Sequence, residues 1–241
     1  MKQFALTVAL IIYLLNFAYG QNKTYFGFEF SVANDIYKIN DNGDYLINVP
    51  LINGQGGFNL RQDIKRNIFI EAGLVLKYYQ DGFGFKTIPY YSSSSSDPSW
   101  LIPVRFGLNL NLYKEKIYLV PVVGYSFGIN PPFGYGLGYG KQTSSATTID
   151  YNYTENPDVS RYFSLLQTGI GFEFKLFKTL LLSISTNYYS GFNKTTHLDI
   201  NYTVNNLNQT TGTAISKGEF WCVSTGLKYP ISNFWTRKKH Q

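Results

Sequence analysis

The sequence is short of charge, of cysteine and of histidine, and each shortage removes a class of protein. Charged residues are 15% of the 241, where a soluble domain carries about 25%. The single Cys222 excludes an intrachain disulfide framework; it falls within a strand pattern, where a small buried residue is expected. Only two histidines, His197 and His240, are present. Beyond the N-terminal region no apolar run approaches the roughly 20 residues of a spanning helix, and no long stretch repeats at helical spacing. The formal charge of +6 is carried partly by the closing TRKKHQ, with no basic stripe interleaved with aromatics, so no nucleic-acid partner is expected.

What is abundant is Tyr (21), Phe (19) and Gly (22), with many Asn and Thr, the residues of strands and turns. MKQFALTVALIIYLLNFAYGQ combines Lys2, an apolar run from Phe4 to Phe17 and the small-x-small Ala18-Tyr19-Gly20, the pattern of a secretory signal peptide over residues 1–20. One all-β domain over residues 21–232 and a basic periplasmic tail over 233–241 account for the rest.

Alternation of period two picks out eight strands, at 24–33, 57–65, 68–79, 101–113, 117–129, 162–177, 179–192 and 218–229, most of them near the 9 to 11 residues a tilted membrane strand needs. Tight turns at Arg66-Asn67, Lys114-Glu115-Lys116 and Lys178-Thr179 alternate with long polar inserts at 34–56, 80–100, 130–161 and 193–217. Short turns on one rim and long loops on the other predict an eight-stranded, antiparallel, up-and-down transmembrane β-barrel with periplasmic turns and four outer loops. The inserts contain SSSSS, FGYGLGYG and NKTTHLDINYTVNNLNQTTGT, turn-forming compositions expected to stay loops without a core of their own.

One parity collects Phe26, Phe28, Phe30, Leu74, Phe106, Val123, Ile170, Phe172, Ile184, Val223 and Leu227, the expected lipid face. The other collects glycines, serines and a few long charged residues, which suits the crowded interior of an eight-stranded barrel and predicts a polar lumen. There Glu29, Glu71 and Glu173 are expected to pair with some of Arg61, Arg105, Lys175 and Lys228, since an unpaired buried charge costs several kcal/mol. Tyr78, Tyr125 and Tyr188 at the outer ends, with Tyr113, Phe177 and Tyr229 at the inner ends, are candidates for two aromatic girdles.

GFNLRQDI, IFIEAGLVLKYYQDGFGFK and the closing GLKYPI resemble the small outer-membrane barrel proteins of Bacteroidota, the PorT-like outer membrane protein β-barrel family. The resemblance implies an eight-stranded fold in the outer membrane with no family-wide catalytic residues; some relatives are linked to secretion and gliding.

Little in the chain suggests catalysis. His197 with Asp199 and Ser190 could be drawn as a hydrolase triad, but the spacing is not diagnostic. Gly134, Gly136, Gly138 and Gly140 precede no helix and read as a flexible loop rather than a phosphate cradle. Asp41, Asp44 and Asp199 lack EF-type spacing for calcium, and the Asn-x-Thr sequons at Asn22, Asn152, Asn193, Asn201 and Asn208 read as chance in so Asn- and Thr-rich a chain. The expectation is a non-enzymatic, monomeric outer-membrane protein without metal or cofactor, embedded in lipid, whose outer loops meet a protein or glycan. A small-solute channel, an accessory role in secretion and a barrel enzyme acting on lipid or peptide are the alternatives, and a soluble ligand-binding barrel is the rival fold.

Overall fold

A computed structural model describes residues 23–49, 52–65, 67–79, 82–86, 98–131, 137–176 and 179–231. The expected signal peptide, the basic tail, the SSSSS run, Phe177, Gly134 and Gly136 lie outside the described residues. In chain order the strands are β1 (Thr24–Asp35), β2 (Lys38–Asp41), β3 (Leu46–Asn48), β4 (Ile52–Lys65), β5 (Ile68–Tyr78), β6 (Phe83–Phe85), β7 (Pro98–Leu108) and β8 (Leu110–Tyr113). There follow β9 (Ile117–Ile129), β10 (Leu137–Thr143), β11 (Thr148–Glu155), β12 (Tyr162–Leu176), β13 (Leu180–Gly191), β14 (Thr196–Val204), β15 (Thr210–Ser216) and β16 (Phe220–Pro230).

Eight staves form a closed antiparallel barrel in the order β1, β4, β5, β7 with β8, β9, β12, β13 and β16, which returns to β1. Closure removes the unpaired strand edges that hydrocarbon cannot satisfy. The short turn between β8 and β9 has Lys114 and Glu115 at φ 43° and 56°, with the Lys116 N–H donating to the Tyr113 carbonyl at 2.8 Å. Both central residues are left-handed, as the twist of a two-residue hairpin demands.

Alternation sorts the side chains by face. In β1 every second residue from Tyr25 to Asp35 is buried, and Phe26, Phe28, Phe30 and Val32 are exposed. The exposed set continues around the barrel through Phe58, Leu74, Phe106, Val123, Ile170, Phe172, Ile184, Val223 and Leu227. So continuous an apolar belt is far larger than a soluble protein leaves in water, and the belt surrounds a lumen of buried Glu, Arg, Lys and Asn. This inversion is that of a membrane-embedded barrel. Tyr78, Tyr125, Tyr188, Tyr113 and Tyr229 are all exposed, and Trp100, Tyr162 and Trp221 join the outer ends.

The long inserts depart from the sequence expectation. Instead of remaining loops, they build a five-stranded antiparallel sheet in the order β10, β11, β14, β15, β2, and β3 pairs with β6 beside it. These strands enclose a second apolar core of Tyr37, Leu46, Phe83, Phe85, Ile149, Tyr151, Leu198, Ile200, Tyr202 and Ala214. Gly138 and Gly140, expected as flexible loop, lie in β10 opposite Tyr153 and Tyr151. A Cβ at either glycine would strike the facing tyrosine ring, so these glycines make room for the core instead of loosening it.

Candidate functional site: the lumen and the outer sheet

The strands bring six of the seven expected lumen residues into one ion-paired chain. From the periplasmic end, Arg61 Nε meets Asp63 at 3.0 Å and its Nη1 meets Glu173 at 2.6 Å. Lys228 Nζ bridges Glu173 at 2.9 Å and Glu71 at 2.7 Å, and Arg105 Nη1 joins Glu71 at 2.8 Å to Glu29 at 2.6 Å. Register explains the meeting, because Arg61 lies opposite Glu71 on β5, which in turn lies opposite Arg105 on β7. Arg105 also donates through Nη2 to Glu29 at 2.7 Å and through Nε to Gln167 at 3.0 Å, the planar fork suited to several acceptors at once. The Arg61 guanidinium is 3.7 Å from the centre of the Phe69 ring.

Lys175 does not join. It is half-buried near the inner end of β12 and has no ion pair among the described residues. There the lumen widens into a cavity of about 420 Å³ lined by Lys23, Lys65 and Lys175 as well as by Arg61, Asp63 and Glu173, so water can solvate the ammonium.

Three parts of the lumen escaped the sequence reading. Asp63 completes the chain of charges two residues after Arg61, on the same parity. Further out, Lys77, wholly buried, pairs with Asp35 at 2.7 Å and lies over the rings of Tyr79 and Phe220. Between these charged levels the expected polar filling is wrong. Val75, Leu101, Phe163, Leu165, Phe220 and Cys222 form an apolar layer, with Tyr189 stacked on Phe220 at 4.2 Å. This layer closes the outer half, and the space left at the level of the network is about 50 Å³, room for one or two waters.

The outer sheet is tied down by Asp41, the last residue of β2. Its carboxylate accepts from the backbone N–H groups of Gly43, Tyr45 and Leu46 at 3.1, 2.6 and 2.6 Å and from the Tyr202 hydroxyl at 2.7 Å. Partial burial alone would raise its pKa, but these four donors outweigh it and hold the carboxyl below its ordinary 3.8. A depressed folded-state pKa gives stability that is present above the unfolded value and lost as pH falls through the folded one. Protection from hydrogen exchange across β2, β14 and β15, taken relative to the intrinsic rate at each pH, is therefore expected to hold down to about pH 4 and to fall below it. Asp41→Asn should raise exchange at neutral pH and shrink the acid step; an unchanged acid step in that variant would remove Asp41 as its source.

The residues considered for catalysis are not assembled. His197 Nδ1 is 2.6 Å from Asp158 Oδ1, and its Nε2 is 3.5 Å from Asp199. Ser190 lies in β13 opposite Leu166, and no hydrogen bond joins it to His197 among the described residues. Lys194 holds Asp158 at 2.5 Å, and this bond, with the His197 contact, lowers the Asp158 pKa. Both imidazole nitrogens thus face carboxylates and neither faces a nucleophile. Among the described residues no group of three His, Cys, Asp or Glu is placed to hold a metal ion.

Comparison with solved structures finds the same architecture. The outer membrane protein OprG from Pseudomonas aeruginosa is similar over 87% of this chain and 96% of its own, with a TM-score of 0.50 at 9% identity. A major outer membrane protein from Thermus thermophilus (85% and 98% covered, TM-score 0.40, 10% identity) and Ail, the attachment invasion locus protein of Yersinia pestis (86% and 99%, 0.37, 11%), also match. No family model matches the sequence and no curated protein does. The chain is thus a small eight-stranded β-barrel of the bacterial outer-membrane type.

Proposed function

We propose that the protein is a non-enzymatic, monomeric surface-interaction protein of the outer membrane, in which a plugged barrel carries a folded binding platform. The observation that supports this reading most is the outer sheet. Chain that would otherwise pay a large ordering entropy on meeting a partner is already ordered on its own apolar core, and preorganisation of this kind favours binding. The closed barrel offers no free strand for pairing with another copy. The resemblance to PorT-like proteins implies the fold and supplies no residue to which a secretory role attaches.

The channel reading is the competitor. Ion pairs and an apolar layer both cross the lumen, so purified protein in planar bilayers is expected to give no discrete conductance steps. Steps that change in size when Glu71 or Arg105 is neutralised would overturn the plug and establish a pore.

A further inference from the structure

The two sequons at Asn152 and Asn201 belong to one local pattern. Asp150-Tyr-Asn-Tyr-Thr154 in β11 and Asp199-Ile-Asn-Tyr-Thr203 in β14 are the same Asp-x-Asn-x-Thr segment, and they pair antiparallel about their centres. Asp150 stands opposite Thr203, Asn152 opposite Asn201 and Thr154 opposite Asp199. The alternate residues Tyr151, Ile200 and Tyr202 enter the outer core, so the Asp, Asn and Thr side chains all stand on the other, open face. The Asn pair continues as a row across the sheet, from Tyr139 in β10 to Thr211 in β15 and Asn42 just beyond β2. Shallow grooves of about 590 and 380 Å³ lie on this face and meet at Asn201.

We infer that this face binds a linear uncharged polysaccharide, lying across the strands along the row from Tyr139 to Asn42. The inference rests on the surface-interaction reading above and names its ligand class. The face has no net positive field to hold a polyanion: Lys141 is its cation within the grooves and pairs with Asp150 at 3.4 Å, while Asp199 accepts from Asn156 at 2.9 Å. Nor does its centre carry the buried aliphatic and aromatic anchors that dominate protein interfaces. What it offers is amides, carboxylates and hydroxyls in close rows. Asn201 Nδ2 donates to Asn152 Oδ1 at 3.2 Å, which leaves the Asn152 N–H groups and the Asn201 carbonyl directed at solvent, a donor and an acceptor side by side as a pair of vicinal hydroxyls requires.

Spacing supports the same ligand. Adjacent strands are about 4.8 Å apart, close to the length of one pyranose in an extended chain, so the row presents one polar position per sugar over about four sugars. Tyr139, 85% exposed at the end of the row, gives an aromatic face on which the apolar side of a sugar ring can stack. The packed core beneath holds these groups in place before the ligand arrives.

The test uses the full-length barrel in detergent micelles, titrated by calorimetry with uncharged linear tetrasaccharides of β-1,4-glucan, β-1,4-mannan and β-1,3-glucan, and with glucose and a heparin tetrasaccharide for comparison. Saturable binding of at least one uncharged tetrasaccharide is expected, with glucose much weaker. Asn152→Ala with Asn201→Ala should weaken it about tenfold by removing two to three hydrogen bonds. Tyr139→Ala should weaken it by a similar factor, with Tyr139→Phe close to the parent. Slow hydrogen exchange in β11 and β14 shows that each variant keeps the sheet. Binding of none of the three tetrasaccharides, equal binding by the Asn variant, or preference for heparin would each overturn the inference. These failures leave the platform reading intact, whereas conductance through the lumen would remove that reading whatever the sugars do.

Discussion

Arg105→Met is expected to lower the stability of the folded barrel by about 3–5 kcal/mol, the usual cost of stripping one partner from a buried ion pair. Among the described residues Arg105 is the one cation paired with Glu29, and it gives Glu71 its second. After the substitution Glu71 retains Lys228 at 2.7 Å. Among the described residues Glu29 then keeps one amide donor, Asn59 Nδ2, at 3.4 Å, and its buried carboxylate is left without a countercharge, which is costly. Arg105→Lys should recover only part of the loss, because an ammonium cannot reach Glu29, Glu71 and Gln167 together as the guanidinium fork does. Arg105→Met combined with Glu29→Gln should recover most of it, because charge and countercharge leave together. Denaturant unfolding in liposomes measures all three. If the single and double variants unfold at the same denaturant concentration, the network is not what stabilises the lumen.

The second large effect is on the opposite face. Val123 lies midway along β9, exposed between Phe106 of β7 and Thr168 of β12. Val123→Lys places an ammonium at the centre of the hydrocarbon and is expected to cost about 2–4 kcal/mol, whereas Tyr113→Lys, at the end of the stave, should cost about 0–1 kcal/mol. The same liposome experiment reads both, and unboiled gel mobility reports whether the barrel has closed. A soluble barrel would treat the two substitutions alike, since both positions would then face water. The contrast between them, more than either value, tests whether the belt meets lipid.

The local pattern of residues determined the barrel. A period of two needs only neighbours in sequence to be visible, and it separated Phe26, Phe28 and Phe30 from Gly27, Glu29 and Ser31 before any strand was paired. Chain length between turns gave the number of staves, and mixed signs on one parity indicated that charges must meet across the lumen. Which of them meet was decided by register and by lumen width, neither of which is local. Lys175 has the same parity as Glu173 but ends in a wide, wet mouth, while Asp35 of β1 pairs with Lys77 of β5, two staves away around the barrel. The apolar layer of Phe163, Leu165 and Phe220 was masked because both parities turn apolar near the outer ends of those strands.

The outer sheet was misread for a related reason. Ile149, Tyr151, Leu198, Ile200 and Tyr202 do alternate, but within segments so rich in Asn and Thr that no single insert could bury its apolar side. Four inserts from different parts of the chain must be gathered on one rim before that side has anything to pack against. Closure of the barrel does the gathering, so the sequence by itself determined where the protein crosses the membrane, and only the tertiary structure turned its loops into a platform.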